Sequence, residues 1–262
     1  MEVAPNARHG ARRALVFQHL AIEHPGSLGR RLDLAGVELV TVELDEGEPV
    51  PDLAPFDLLI VMGGPMDVWE EDRHPWMAAE KAAIRTWVSD LGRPFLGVCL
   101  GHQLLADALG GAVGLMPTPE VGVVQMSLTP AAATDPVFSS LPATIEGLQW
   151  HGAQVTRLPP NGTILAANDA CRVQAFRVGP QAWGVQFHVE VLESTVAEWA
   201  AVPAYRAALE EADRDASRLA AAVEDHLGRM ATVTEILADR LLARVDGDPE
   251  VVDVQLAGSV PE

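Results

Sequence analysis

A cysteine flanked by glycines is the feature of this sequence whose residue types point most directly to chemistry. The run PFLGVCLGHQLLADALGG (94–111) places Cys99 in a Gly-x-Cys-x-Gly pattern between an apolar, strand-like stretch and a helical pattern that begins near His102. This layout is typical of a nucleophile elbow, where Gly97 and Gly101 would relieve clashes around a strained turn. The helix N-terminus would also favour a thiolate. A lone cysteine is more often a small buried apolar residue, but the two glycines favour the nucleophile.

A histidine and a glutamate two residues apart could supply the base that a thiol nucleophile needs. The stretch WGVQFHVE ends an apolar run with His188 and Glu190. In an extended chain the two side chains point to the same side, so the carboxylate can hold one imidazole nitrogen and leave the other for sulfur. An isolated His-x-Glu is usually a solvated strand end. Together with Cys99, however, the pair predicts a Cys-His-Glu triad.

A third motif follows the apolar run LLIVM, where Gly63 and Gly64 precede Pro65. Acyl transfer requires backbone N–H groups aimed at the developing oxyanion, and glycine lets the backbone approach that oxygen closely. By itself, such a motif is more often only a turn. In this context we predict that the N–H groups of Gly64 and Leu100 form the oxyanion hole.

The elements that must position these motifs follow an alternating pattern. Up to residue 111, short apolar runs alternate with helical patterns, which predicts a parallel sheet with helices on both faces. Strand-like pieces over 112–186 predict added antiparallel strands, and helical patterns return after Val191. The predicted organisation is a doubly wound, mostly parallel α/β domain at 13–200, a helical extension at 203–245 and an acidic tail at 246–262.

Composition excludes several classes of function. The 262 residues carry a formal net charge of −19, which argues against nucleic acid or an anionic membrane as a partner. No apolar run approaches the roughly 20 residues of a transmembrane helix, and no signal peptide is recognised. Two cysteines make no disulfide framework, which suits a cytoplasmic location. We find no metal-ligand spacing and therefore expect neither a metal nor another cofactor.

The three motifs, in this order, resemble the class I glutamine amidotransferases, a family of Cys-His-Glu glutaminases that includes the amidotransferase part of GMP synthetase. The resemblance spans about residues 13–199. It implies a doubly wound, flavodoxin-like α/β fold. It also implies that Cys99 attacks the γ-amide of glutamine, that His188 shuttles the proton and that Glu190 orients His188.

The same resemblance implies a substrate pocket formed by Gly63, Gln103, His151, Gly152 and Ala153.

The chain departs from the family pattern at three positions. Val189 replaces the proline of the usual His-Pro-Glu run, and Ala153 replaces the aspartate of a His-Gly-Asp run that faces a partner. His102 stands where many members carry a small residue, and it could shape the pocket.

The motifs leave more than one function open. Neither a Ser-Gly-Gly-x-Asp-Ser nucleotide loop nor a Walker-type loop occurs in the 262 residues, so a separate synthetase would have to use the ammonia. One hypothesis is therefore a stand-alone glutaminase subunit that hydrolyses glutamine. A second is a hydrolase of γ-glutamyl amides or peptides with the same triad. A third, a catalytically silent protein that binds a partner, is disfavoured by the intact triad.

Overall fold

Nine strands form one continuous sheet in the computed structural model, which describes residues 11–247. The residues beyond 247, most of the predicted acidic tail, lie outside this range. The strands are β1 (Arg13–Gln18), β2 (Glu38–Glu43), β3 (Leu58–Val61), β4 (Phe95–Val98), β5 (Ala112–Leu128), β6 (Thr144–Arg157), β7 (Gly162–Ala167), β8 (Ala175–Val178) and β9 (Ala182–Val185).

The sheet has a parallel half and an antiparallel half. Its order is β2-β1-β3-β4-β9-β8-β7-β5-β6. Every neighbouring pair from β2 to β9 in this order is parallel. Every pair from β9 to β6 is antiparallel, so β9 joins the two halves. Both the mostly parallel sheet and the added antiparallel strands are thus confirmed. The parallel half matters for function because the crevice outside the carboxyl ends of such strands is where ligands bind.

Helices cover both faces of the parallel half. They are α1 (Gly26–Leu34), α2 (Trp76–Arg85), α3 (Leu100–Ala108), α4 (Thr195–Ala201), α5 (Pro203–Glu211) and α6 (Ala216–Asp246). A π-helical segment (Thr86–Leu91) continues α2, and a short 3₁₀ helix (Pro130–Thr134) follows β5.

The alternating side chains of β1 show which helices cover each face of the sheet. Ala14 and Val16 pack with α1 and α6, whereas Leu15 and Phe17 pack with α2 and α3. Because successive side chains of a strand point to opposite faces, each strand in this region contributes to two apolar layers. The doubly wound arrangement is confirmed.

The predicted helical extension corresponds to α5 and α6. Asp215 caps α6 by accepting a hydrogen bond from the Arg218 N–H at 2.9 Å, and Gly247 ends it with a φ of 71°. Between these caps, the apolar side chains of α6 from Leu219 to Leu242 pack into the same core as α1. Among the described residues, no helix has both the length and the apolar composition to cross a membrane.

Candidate active site

Cys99 lies alone between β4 and α3, in a backbone conformation that side-chain-bearing residues rarely adopt. Its φ is 52° and its ψ is −102°. Such a conformation costs of order 1–3 kcal/mol and persists only when its surroundings hold it in place. The Cys99 N–H donates to the Val185 carbonyl at 2.8 Å, which ties the turn to β9. Helix α3 begins at Leu100, two residues before the start near His102 that the sequence predicts, so the thiol directly precedes the helix.

The flanking glycines are required by close backbone approaches. A Cβ on Gly97 would overlap the carbonyl oxygen of Gly101, and a Cβ on Gly101 would overlap the carbonyl oxygen of Val61 in β3. The Gly101 N–H also donates to the Met62 carbonyl at 3.1 Å. The turn is therefore held against β3 on one side of β4 and β9 on the other. Larger residues at 97 or 101 would displace it.

Gly101→Ala should lower the free energy of unfolding by about 1–3 kcal/mol, the usual cost of overpacking, because the added methyl group meets backbone that cannot rotate away. Urea denaturation measures this change. Gly228→Ala is the matched control, since a Cβ at that helical position meets open space and should raise stability by about 1 kcal/mol. Equal stability of the Gly101→Ala variant and the wild type would contradict the clamped turn.

The segment after β9 brings His188 and Glu190 together. His188 exchanges backbone hydrogen bonds of 2.8 and 2.9 Å with Leu148 of β6. Its Nδ1 lies 2.6 Å from the Glu190 carboxylate. The second carboxylate oxygen of Glu190 accepts a hydrogen bond from the Val189 N–H at 3.0 Å. Proline lacks this N–H, so Val189 provides the carboxylate with a backbone donor that a proline at 189 could not supply.

The charges around His188 favour the imidazolium. Burial by itself would lower the pKa of His188, but the Glu190 carboxylate and a hydrogen bond with Cys99 raise it well above its usual value. The Gln186 side chain also donates a hydrogen bond to the Cys99 sulfur at 3.6 Å. The arrangement can therefore accept a proton from the thiol on one imidazole nitrogen while the carboxylate holds the other.

A single pocket contains Cys99 and most of the residues predicted to bind substrate. It is lined by Gly64, Pro65, Met66, Asp67, Cys99, Leu100, Gln103, Trp150, His151, Gly152, Ala153, Ala204, Tyr205 and Ala208. Gly63 lies behind this wall: a Cβ there would sit 2.5 Å from a Glu23 carboxylate oxygen and 3.1 Å from Cε1 of His188. Among residues 11–247, no cluster of three His, Cys, Asp or Glu side chains could hold a metal ion.

Two polar side chains that line the pocket hold one of its walls in place. Gln103 is almost fully buried, and its amide nitrogen donates to the Ala153 carbonyl and to the Gln186 side chain, both at 3.1 Å. His151 contacts the same carbonyl at 2.9 Å and pairs with Glu120 at 3.2 Å. The Ala153 backbone is thus held by two hydrogen-bond contacts with conformationally restricted side chains.

His102 does not line the pocket, which corrects the expectation that it could shape it. Its ring is fully buried and packs edge-on against Phe176 with the centroids 4.8 Å apart. Burial lowers the pKa of His102 to about 3, so the ring is neutral. Consecutive residues of a helix point about 100° apart, and since Gln103 faces the pocket, His102 faces the core.

Several residues at the site carry no signal in the sequence. Tyr205, from α5, lines the pocket and donates a hydrogen bond to Glu23, whose carboxylate is buried next to His188. Burial is the main reason that the pKa of Glu23 is raised. Trp199 packs edge-on against His188 at 4.7 Å. Tyr205 and Trp199 reach the site because the chain after β9 folds back over it, and Glu23 reaches it from the loop between β1 and α1. No local pattern could reveal either placement.

Comparisons with known proteins identify the family and the fold of the chain. A family model described as glutamine amidotransferase class-I matches residues 26–198. The glutamine-hydrolysing GMP synthase subunit of Ignicoccus hospitalis is 36% identical over 146 residues, which cover 55% of this chain and 71% of that protein. The crystal structure of a glutamine amidotransferase from Thermotoga maritima superposes with a TM-score of 0.78 at 27% identity, covering 91% of this chain and 99% of that one.

Proposed function

The chain belongs to the class I glutamine amidotransferase family, and from that premise we propose that it hydrolyses the side-chain amide of glutamine through a thioester on Cys99. The observation that carries this proposal is the convergence of Cys99, His188 and Glu190 beside one pocket, with His188 bonded to Glu190 at 2.6 Å. The strained turn at Cys99 presents the sulfur to that pocket.

The first half of the reaction forms the thioester. His188 takes the proton of the Cys99 thiol, and the sulfur attacks the amide carbon of glutamine to give a tetrahedral intermediate. The intermediate collapses when the C–N bond breaks and the His188 imidazolium gives its proton to the departing ammonia. Glu190 keeps the imidazole oriented and stabilises its positive charge, as its hydrogen bond to Nδ1 allows.

The second half returns the enzyme to its starting state. Water attacks the thioester carbon while His188 removes the proton of that water. The C–S bond then breaks, the Cys99 sulfur recovers its proton and glutamate leaves. The same base thus acts in both halves, which requires an imidazole held in one orientation throughout.

The backbone N–H groups of Gly64 and Leu100 are proposed to stabilise the oxyanion of both intermediates. Both residues line the pocket beside Cys99. Leu100 is the first residue of α3, so its N–H has no partner within the helix. Within residues 11–247, neither of these two N–H groups donates a hydrogen bond to the protein. Unpaired donors of this kind are what a developing negative charge requires.

The remaining pocket residues are proposed to bind the amino-acid end of the substrate. The backbone of His151, Gly152 and Ala153 forms one wall, and Gln103 holds that wall in place. Gly63, which precedes the pocket-lining Gly64 and lies close to His188, is proposed to support this site. Ala204, Tyr205 and Ala208 of α5 also line the pocket, so the α5 segment is proposed to be part of the substrate site.

The physiological substrate and the use of the released ammonia separate two versions of the proposal. In the first, the ammonia passes to a separate synthetase, as the name of the relative in Ignicoccus hospitalis suggests. In the second, the enzyme hydrolyses γ-glutamyl amides or peptides. One observation favours the second version: Ala153 stands where the His-Gly-Asp run of the family has an aspartate that faces a partner.

Purified protein should release glutamate from glutamine slowly but measurably, because the triad is assembled but the pocket of a partner-dependent glutaminase is restrained until the partner binds. Glutamate release is measured with glutamine and with a panel of γ-glutamyl amides, with Cys99→Ala as the blank. Turnover of a γ-glutamyl amide at least about tenfold faster than glutamine, about 1.4 kcal/mol in transition-state stabilisation, would replace the amidotransferase version with the hydrolase version. The absence of turnover with every substrate would contradict both.

A further inference from the structure

A second buried carboxylate–histidine pair lies next to the glycine loop of the pocket. His19 directly follows β1 and is completely buried. Its Nδ1 lies 2.8 Å from the carbonyl oxygen of Gly63, and its Nε2 lies 2.8 Å from the carboxylate of Glu80 in α2. Trp76, at the start of α2, stacks on the imidazole with the ring centroids 5.3 Å apart. None of these side chains takes part in the mechanism derived above.

The partners of His19 determine where its protons are. A carbonyl oxygen can only accept, so Nδ1 must carry the proton of the contact with Gly63. Burial by itself would lower the pKa of His19, but the Glu80 carboxylate and the contact with Gly63 raise it. This direction favours the imidazolium, in which both ring nitrogens donate, and hydrogen bonds from a charged donor are stronger than neutral ones.

The bond to Gly63 also fixes the direction of the next N–H group. In a trans peptide the C=O of one residue and the N–H of the next point in opposite directions within one plane. Holding the Gly63 oxygen towards His19 therefore turns the Gly64 N–H away from His19. Glycine peptides rotate more freely than others, so this plane needs an external constraint. Gly64 itself is packed closely, since a Cβ there would lie 3.1 Å from the Cβ of His19 and 3.0 Å from Leu100.

We propose that His19, held by Glu80, is a positioning residue that orients the Gly63–Gly64 peptide so that the Gly64 N–H faces the oxyanion. This inference rests on the proposed function, in which Gly64 is one of the two oxyanion donors. His19 touches no substrate. It acts through the backbone, so its loss should weaken transition-state stabilisation and leave substrate binding largely intact.

The test separates oxyanion stabilisation from the reactivity of the thiol. His19→Phe keeps a ring of similar size against Trp76 but removes the donor to Gly63. With the better substrate of the panel, kcat should fall by about 100-fold, since removing an oxyanion donor costs about 10²–10³-fold, while KM changes by less than about threefold. Iodoacetamide reacts at a saturated carbon and forms no oxyanion, so the rate of Cys99 alkylation should stay within about twofold of the wild type.

Two further variants keep the test decisive. Glu80→Gln retains an acceptor for His19 but removes the negative charge, and kcat should fall by about tenfold, the amount expected for the loss of charge assistance. This variant decides the question if His19→Phe does not fold. His74→Phe is the matched control, because His74 also contacts the Trp76 ring, at 5.6 Å, but does not reach the glycine loop, so its kcat should be unchanged.

Contrary results fall into separate classes. A kcat within about threefold of the wild type in His19→Phe and in Glu80→Gln would overturn the positioning role, because the loss of an oxyanion donor costs much more. Parallel losses of turnover and of iodoacetamide labelling would also overturn it, since they would show that the whole elbow had been disturbed. A wild-type protein that hydrolyses neither glutamine nor γ-glutamyl amides would instead contradict the proposed function.

Discussion

Cys99→Ala should lose glutamine hydrolysis almost completely, by at least about 10⁴-fold in kcat, because the covalent step of the proposed mechanism then has no nucleophile. Glutamate release from glutamine measures the effect. The fold should survive, because alanine is smaller than cysteine and the turn is held through the Cys99 N–H, which the substitution keeps. Cys99→Ser offers a second test, since a hydroxyl is a much weaker nucleophile than a thiol under the same base. Full activity in Cys99→Ser would remove the basis for the thioester mechanism.

Cys171 is the matched control for Cys99. It is completely buried, and burial raises the pKa of its thiol to about 11, so it should stay protonated and unreactive. A chloroketone that mimics glutamine should therefore label Cys99 and spare Cys171, as peptide mass mapping would show. Cys171→Ala should retain activity. Labelling of Cys171 would contradict the assignment of the nucleophile.

His188→Ala should lower kcat by about 10³-fold or more, because in the proposed mechanism both the thiol proton and the proton given to ammonia pass through its imidazole. Steady-state glutamine hydrolysis measures kcat and KM separately, and the loss is expected in kcat. His226→Ala, at a half-buried position in α6, is the control and should leave kcat unchanged.

Glu190→Gln should lower kcat by less than His188→Ala, since in the proposed mechanism Glu190 orients and stabilises the base but transfers no proton itself. The amide can still accept from Nδ1, although without the negative charge that raises the pKa of His188. The pKa of His188 in this variant should therefore fall, which an NMR titration of the imidazole would detect. Equal and small effects of the two substitutions would indicate that the FHVE stretch is only structural.

Much of the candidate site could be predicted because its central constraints are local. A strand that enters a helix through Gly-x-Cys-x-Gly leaves few backbone paths, and the structure gives both glycines a steric reason: the carbonyl oxygens of Gly101 and Val61. Likewise, the two-residue spacing of His188 and Glu190 predicted their contact. The alternation of apolar runs and helical patterns predicted the parallel sheet, because burial on both faces selects that pattern.

The chain order of the sheet and the surroundings of the triad depended on contacts between distant segments. No local pattern places β9 beside β4 or brings Tyr205 of α5 to the pocket, more than 100 residues after Cys99. His19 looks like an ordinary polar residue after a strand until β1 and β3 pair and bring it to Gly63. In the sequence, Val189 is only a departure from the family pattern, whereas in the structure its N–H donates a hydrogen bond to Glu190.

The difference between what the sequence predicts and what the tertiary structure decides has a physical basis. Steric limits on φ and ψ and the periodicity of apolar residues act over a few positions, so they are readable along the chain. A buried carboxyl group such as that of Glu80 or Glu23 is tolerated only when other segments supply hydrogen-bond or charge partners for it. Whether those partners are present depends on how the whole chain packs. The proposed nucleophile and its proposed base are therefore specified by short motifs, whereas the groups around them depend on contacts between distant segments.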